Sequence, residues 1–171
     1  MILPLCLILG DSTGVGTADA LAAQGLRCEV HARVSAPSSE TVQTWHGGRP
    51  VYRALIALGS NDATSPKLAE NLLTLRRRVL AGRVTWLAPY HPGAAQVVTA
   101  IARSFGDNVV QLASYGSRDR VHPNSYSSVA VSLGWSGMGS SVPLLARRPS
   151  PQPPRATFTA SPIRQAVVLS F

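Results

Sequence analysis

Leu7–Thr17 reads LILGDSTGVGT, an apolar run that stops at a glycine and gives way to an aspartate, a serine and two further glycines. The run begins at Ile2 and is of strand length, the pattern of a strand buried on both faces. Gly14–Gln24 then carries alanines and leucines on one side and reads as a helix. Ser12 therefore falls on a strand-to-helix turn. There it can serve as a turn or cap residue, as part of a phosphate loop, or as a nucleophile.

Beyond this unit the alternation repeats. Leu26–Ala32, Arg53–Leu58, Arg83–Leu87 and Asn108–Leu112 read as further strands. Helices are expected at Ser38–Trp45, Pro66–Ala81, Gly93–Phe105 and Pro123–Leu133, several of them opened by proline and followed by glycine. Five strand–helix alternations predict an α/β domain with a parallel sheet and helices on both faces. In such sheets ligands bind at the carboxyl ends of the strands. Polar residues of a site should then come from Gly10–Gly14, Arg33–Pro37, Gly59–Asp62, Ala88–Pro92 and Ala113–His122.

The chain has 171 residues and is 45% apolar, enough for one domain with a core built mainly from aliphatic side chains, since aromatics make up 6%. The net charge of +8 is uneven. Residues 136–171 hold Arg147, Arg148, Arg155 and Arg164, no acid, and 6 of the 13 prolines. The expected organisation is a domain over 1–135 and a basic Pro/Ser-rich tail, largely disordered, over 136–171. A basic balance favours anionic surroundings, but no aromatic-interleaved basic stripe marks a nucleic-acid site, and Arg76–Arg78 reads as a solvated helix face. Specific nucleic-acid binding is not expected. Cys6 and Cys28 read as small apolar residues in buried strands, and no Cys/His spacing suggests a metal. Neither a signal-peptide pattern nor a membrane-spanning run is seen, so the expected location is the cytoplasm, with release by lysis or within a larger particle as the alternative.

The phosphate-loop reading fails on spacing. Gly10 and Gly16 are one residue too far apart, Thr17 stands where the loop needs lysine, and Asp19 stands where a dinucleotide fingerprint needs its third glycine. As a structural motif, Asp11 and Ser12 would cap the helix. A nucleophile demands more: a base for the hydroxyl proton, an acceptor to hold the base, and donors for an oxyanion. Of four histidines, His31 lies inside a strand and His46 in a connection. His91 and His122 lie at strand ends before prolines. Only His122 has an aspartate three residues earlier, Asp119, placed to accept from Nδ1–H and leave Nε2 facing a serine. His91 reads first as a lone surface histidine, with a place in the pocket lining as the alternative. Asn61, just past the third strand, can supply an amide N–H.

Gly10-Asp11-Ser12, Gly59-Ser60-Asn61-Asp62 and Asp119-Arg120-Val121-His122-Pro123, in that order and each at a strand end, resemble the first, third and fifth blocks of the SGNH hydrolases, the GDSL-type esterases and lipases. The resemblance covers about residues 1–135. It implies a three-layer α/β/α sandwich of flavodoxin-like type with a five-stranded parallel sheet, and a serine esterase needing no cofactor or metal. It further implies Ser12 as nucleophile, His122 as base, Asp119 as its orienting carboxylate, and an oxyanion hole from the Ser12 N–H and the Asn61 amide. Gly10, Asp11, Gly59 and Asp62 would support the loops. The second block departs from the family: Ala32–Ser38 lacks the usual glycine, which leaves the backbone N–H of Ser35 or of Ala36 as the remaining oxyanion donor. The implied substrate is a small-molecule or glycan ester of short acyl or acetyl type. Deacetylation of bacterial cell-wall or capsular polysaccharide and a non-catalytic binding module on the same fold are the alternatives.

Overall fold

The computed structural model describes residues 5–135; the expected tail, 136–171, lies outside them. The elements run β1 (Cys6–Gly10), α1 (Ser12–Ala23), β2 (Glu29–Ala32), α2 (Ser38–Thr44), β3 (Val51–Ala57), α3 (Leu68–Arg78), β4 (Ala81–Ala88), α4 (Pro92–Phe105), β5 (Asn108–Gln111) and α5 (Tyr126–Ser132). One five-stranded sheet is formed in the order β2-β1-β3-β4-β5, and every pairing is parallel.

Alternation along the central strands divides the core in two. Leu7 and Leu9 of β1 and Ala54 and Ile56 of β3 face one layer, where Leu68, Leu72 and Leu75 of α3 and Val98 of α4 pack with Trp86. Cys6 and Ile8, with Leu55 and Ala57, face the other, against Leu21 of α1 and Val129 and Ala130 of α5. The period-2 alternation of β geometry assigns each side chain to its layer, so strands apolar at every position must lie between two helical layers.

Several boundaries differ from the sequence reading. The third helix ends at Arg78, and Gly82 lies inside β4 rather than closing the helix. The Ala81–Gly82 backbone pairs along β3, where a side chain at Gly82 would press the Tyr52 carbonyl at 3.0 Å. The last helix starts at Tyr126, capped by Ser125, whose hydroxyl accepts from Ser128 N–H at 3.2 Å, not at Pro123. Arg76–Arg78 is only partly a solvated face. Arg76 pairs with Asp107 at 2.5 Å, and Arg78 donates to the carbonyls of Val42 and Trp45 at 2.7 and 2.9 Å.

The cysteines are also corrected. Cys6 and Cys28 form a disulfide, with Cα atoms 4.8 Å apart. Cys28 is only partly buried and precedes β2, a short exposed edge strand. Pairing of β1 with β2 in register Leu7↔Glu29 brings the two thiols together across the edge. Closing this loop restricts the unfolded chain, an effect of about 2–4 kcal/mol for a loop of this size. Cys28→Ser is expected to lower unfolding stability by about that amount, read as a lower urea midpoint with a slope at least as steep as wild type, since the freed unfolded chain exposes more surface; an unchanged midpoint would show that the cross-link contributes nothing.

Candidate active site

Each site residue is delivered by a strand end. β1 stops at Gly10, which lies so close to β3 that a methyl group there would sit 2.8 Å from the Ala57 carbonyl oxygen. The Asp11 N–H donates to that same carbonyl at 2.9 Å. The chain then turns into α1, with Asp11 as N-cap: its buried carboxylate accepts from the Thr13 N–H at 2.8 Å and the Thr13 hydroxyl at 2.7 Å. The cap reading of Asp11 is therefore true locally. It also places Ser12 as the first helical residue, where its own N–H has no intrahelical acceptor.

Asp11 further reaches the Ser60 N–H at 3.4 Å, tying the β1 turn to the loop after β3. Burial pushes its carboxyl pKa up, opposed by the hydrogen bonds from Thr13 and Ser60. Gly59 adopts φ +104°, a left-handed conformation open to glycine at little cost, and sends the chain toward Asn61. Asp62 reaches sideways: it accepts from the Ser38 N–H at 2.9 Å and from the Ser38 hydroxyl, which in turn accepts from the Asn71 amide at 2.9 Å. This carboxylate gives α2 the N-terminal partner that its own cap residue, Pro37, does not.

The opposite wall comes from the loop before α5. The Ser12 hydroxyl lies 2.8 Å from Nε2 of His122, and Nδ1 of His122 lies 2.6 Å from Asp119. With the proton on Nδ1 donated to Asp119, Nε2 is left to accept from Ser12. Asp119 also accepts from the backbone N–H groups of His122 and Val121, at 2.8 and 2.9 Å, and from the Ser117 hydroxyl at 3.1 Å. The His122 backbone and ring, then Val121, hold its carboxyl well below the usual carboxylate range. The pair is solvent-accessible, with side chains 42% and 53% exposed.

The second block decides between the two backbone donors. The Ala36 N–H already donates to the Arg33 carbonyl at 3.1 Å, and its own carbonyl accepts from the Asn61 amide at 3.3 Å. Ala36 is thus a hinge between loops rather than a free donor. Ser35 adopts φ +62°, the left-handed conformation glycine favours, and among the described residues its N–H has no acceptor. Ser35 therefore holds this backbone turn at a conformational cost.

Three residues were not singled out from the sequence. Tyr126 packs its ring over Gly16, where a methyl group would fall inside the ring; burial, then the charges of Asp11 and Asp119, push its phenol pKa up to about 12. Ser117 closes the turn before Asp119 by accepting from the Arg120 N–H at 2.8 Å. Arg120 stands at φ +58°. His91 is exposed, caps α4 and lines a cleft of about 390 Å3 with Ser60, Ala63, Tyr90, Arg120 and Val121, the pocket role that is the lesser of its two readings from sequence. His31 pairs with Glu29 on the exposed edge strand.

No family model and no curated protein matches the chain. Solved structures do. The C-terminal catalytic domain of Streptococcus pneumoniae peptidoglycan O-acetyltransferase A superposes with TM-score 0.55 at 13% identity, over 80% of this chain and 93% of that one. Est24, a carbohydrate acetylesterase from Sinorhizobium meliloti, gives 0.56 at 14%, over 77% and 98%. The M. smegmatis aryl esterase gives 0.53 at 17%, over 76% and 96%. The described residues share the fold of these enzymes, a five-stranded parallel sheet with helices on both faces. The sheet has its switch point between β1 and β3, where the order reverses, and Ser12 and Asn61 follow those two strands.

Two outcomes follow from this geometry. Ser35→Gly removes a left-handed non-glycine residue, worth about 1 kcal/mol, but adds freedom to the unfolded chain. Stability should stay within about 1 kcal/mol of wild type, and the N–H remains; a collapse of the fold in the thermal melt would contradict the assigned backbone. Asp119 has a depressed folded-state pKa, so its contribution is fully present above the ordinary carboxylate pKa of about 4 and is lost as pH falls through the folded value. The difference in melting temperature between wild type and Asp119→Asn should be largest near neutrality and shrink below about pH 4; a difference that grows on acidification would reverse the sign.

Proposed function

We propose that the protein is a serine esterase of the SGNH type acting on short acyl or acetyl esters. The observation that carries this reading is the bonded chain from Ser12 through both nitrogens of His122 to Asp119, 2.8 and 2.6 Å. A serine hydroxyl is a weak nucleophile until a base takes its proton. Ser12 Oγ attacks the ester carbonyl carbon and its proton passes to His122 Nε2. Asp119 holds the ring in the required tautomer and stabilises the imidazolium. The tetrahedral oxyanion is held by the N–H groups of Ser12 and Ser35 and by the Asn61 amide. His122 returns the proton to the departing alcohol. Water then attacks the acyl-serine carbonyl, gives its proton to His122, and the acid leaves as Ser12 regains its hydrogen.

The acetylesterase among the similar structures supports a small acyl group and a glycan or small-molecule alcohol. Among the described residues no group of three metal-ligating side chains is gathered, and the reading uses none. No helix there is long and apolar enough to cross a membrane. The disulfide supports an oxidising compartment in preference to the cytoplasm expected from the sequence.

The test is hydrolysis of p-nitrophenyl acetate. Ser12→Ala should lower kcat by about 10³-fold or more, and Asn61→Ala by about 10²–10³-fold. A fluorophosphonate probe should label wild type and leave Ser12→Ala unlabelled. Equal rates for wild type and Ser12→Ala would sink the reading and favour a binding module on the same fold.

A further inference from the structure

We propose that the cleft beside Ser12 selects esters carrying a negative charge, and that Arg120 and His91 recognise it. This rests on the reading of Ser12 as the nucleophile. The cleft adjoins two loops of the site: its lining residue Ser60 precedes Asn61, and Val121 precedes His122, whose Nε2 is 2.8 Å from the Ser12 hydroxyl. Its volume, about 390 Å3, suits a small ligand.

Arg120 is the arginine that lines the cleft, and it is not spent on a partner as four others are. Arg33 pairs with Glu40, Arg76 with Asp107, and Arg53 and Arg78 donate to backbone carbonyls. Among the described residues the Arg120 guanidinium has no hydrogen-bond or ion-pair partner, yet it lines the cleft. Its backbone is not loose. The Arg120 N–H is bonded to Ser117, and the residue occupies the left-handed region, which a non-glycine residue adopts at a cost. A cation is thus presented from a fixed turn next to the base.

His91 supplies a second donor. Its Nδ1 accepts from the Ala94 N–H at 3.3 Å, so in the neutral ring the proton sits on Nε2. No carboxylate lines the cleft. Two carboxylates adjoin lining residues in sequence: Asp119 has its oxygens engaged by His122, Val121 and Ser117, and Asp62 turns Oδ2 to Ser38 while its Oδ1 is buried without a partner. Tyr90, on the same wall, has its phenol pKa raised by burial and stays neutral, its hydroxyl donating to the Tyr115 carbonyl at 3.1 Å. The remaining wall, Ala63, Pro89, Pro92 and Val121, is apolar. A cleft with an apolar floor and a free guanidinium fits an ester whose body is small and apolar and whose end is a carboxylate. The charge can sit on the acyl side, as in a hemiester of a dicarboxylic acid, or on the alcohol side, as in the acetyl ester of a hydroxy acid.

Two substrate pairs separate these sources: mono-p-nitrophenyl succinate against its methyl ester, and 3-acetoxybenzoate against its methyl ester. The readout is the ratio of kcat/KM for charged over neutral member. In wild type the ratio should reach about tenfold in one pair, and which pair does so identifies the side. It should fall toward unity in Arg120→Gln, recover in part in Arg120→Lys, and shrink at high salt. A structural role for Arg120 would lower both members together and leave the ratio unchanged. A wild-type ratio at or below unity in both pairs, or an equal ratio in Arg120→Gln, overturns the proposal. Failure of wild type to hydrolyse any of the four esters defeats the nucleophile reading itself, and the charge selection with it.

Discussion

The carboxyl edge of the sheet depends on how closely β1 approaches β3. Gly10 lies against the Ala57 carbonyl, and the Asp11 N–H donates to that oxygen. Any side chain at position 10 would push the two strand ends apart, and with them the turns that carry Ser12 and Asn61. The contact sits where the strand order reverses, so the two loops diverge above it and leave a crevice. Directly over the contact is Asp11, fully buried, with its charge opposed by desolvation and supported by Thr13 and Ser60. A buried carboxylate with several donors is costly to disturb, because removing a donor leaves the charge unpaired. That cost fixes the relation between the two turns.

Above this base, order comes from polar ties rather than apolar packing. Asp62 joins the loop after β3 to α2 through Ser38, whose hydroxyl also accepts from Asn71 of α3, and Asn61 joins the loop to the Ala36 carbonyl. The His122 loop is the most exposed part of the site, and four donors converge on Asp119 there. An exposed ion pair alone contributes little. A carboxylate that accepts from two backbone N–H groups, a hydroxyl and an imidazole has one orientation available, and that orientation sets the ring facing Ser12. Preorganised geometry of this kind is what a developing charge requires.

The strands were legible because β1, β3 and β4 are apolar at nearly every position and bounded by turn residues. The pairing of Ser12 with His122 and Asp119 was legible because each residue follows a strand end and Asp119 lies three positions before His122. The features that escaped depend on neighbours distant in sequence. The disulfide requires knowing that β2 pairs with β1 and that Cys28 lies just before the edge strand. Arg76 and Arg78 look like free surface charge until Asp107 and the Trp45 carbonyl come alongside. Gly16 lies in a helix as expected, but that it makes room for Tyr126 of α5 depends on a residue far along the chain. Ser35 gave no hint of its left-handed backbone, since the residue that normally announces one is glycine.

The hexapeptide Ser117–His122 joins reactivity to recognition. Asp119 and His122 meet three residues apart because the chain reverses between them, and the reversal passes through Arg120 in the left-handed region. The turn that lets the carboxylate reach the imidazole thus also places a guanidinium on the cleft wall. A glycine at position 120 would satisfy the backbone at lower conformational cost. An arginine there carries the cost of the left-handed conformation and, among the described residues, makes no side-chain bond in return. Stability of the loop gives no reason for that side chain; a ligand in the cleft does.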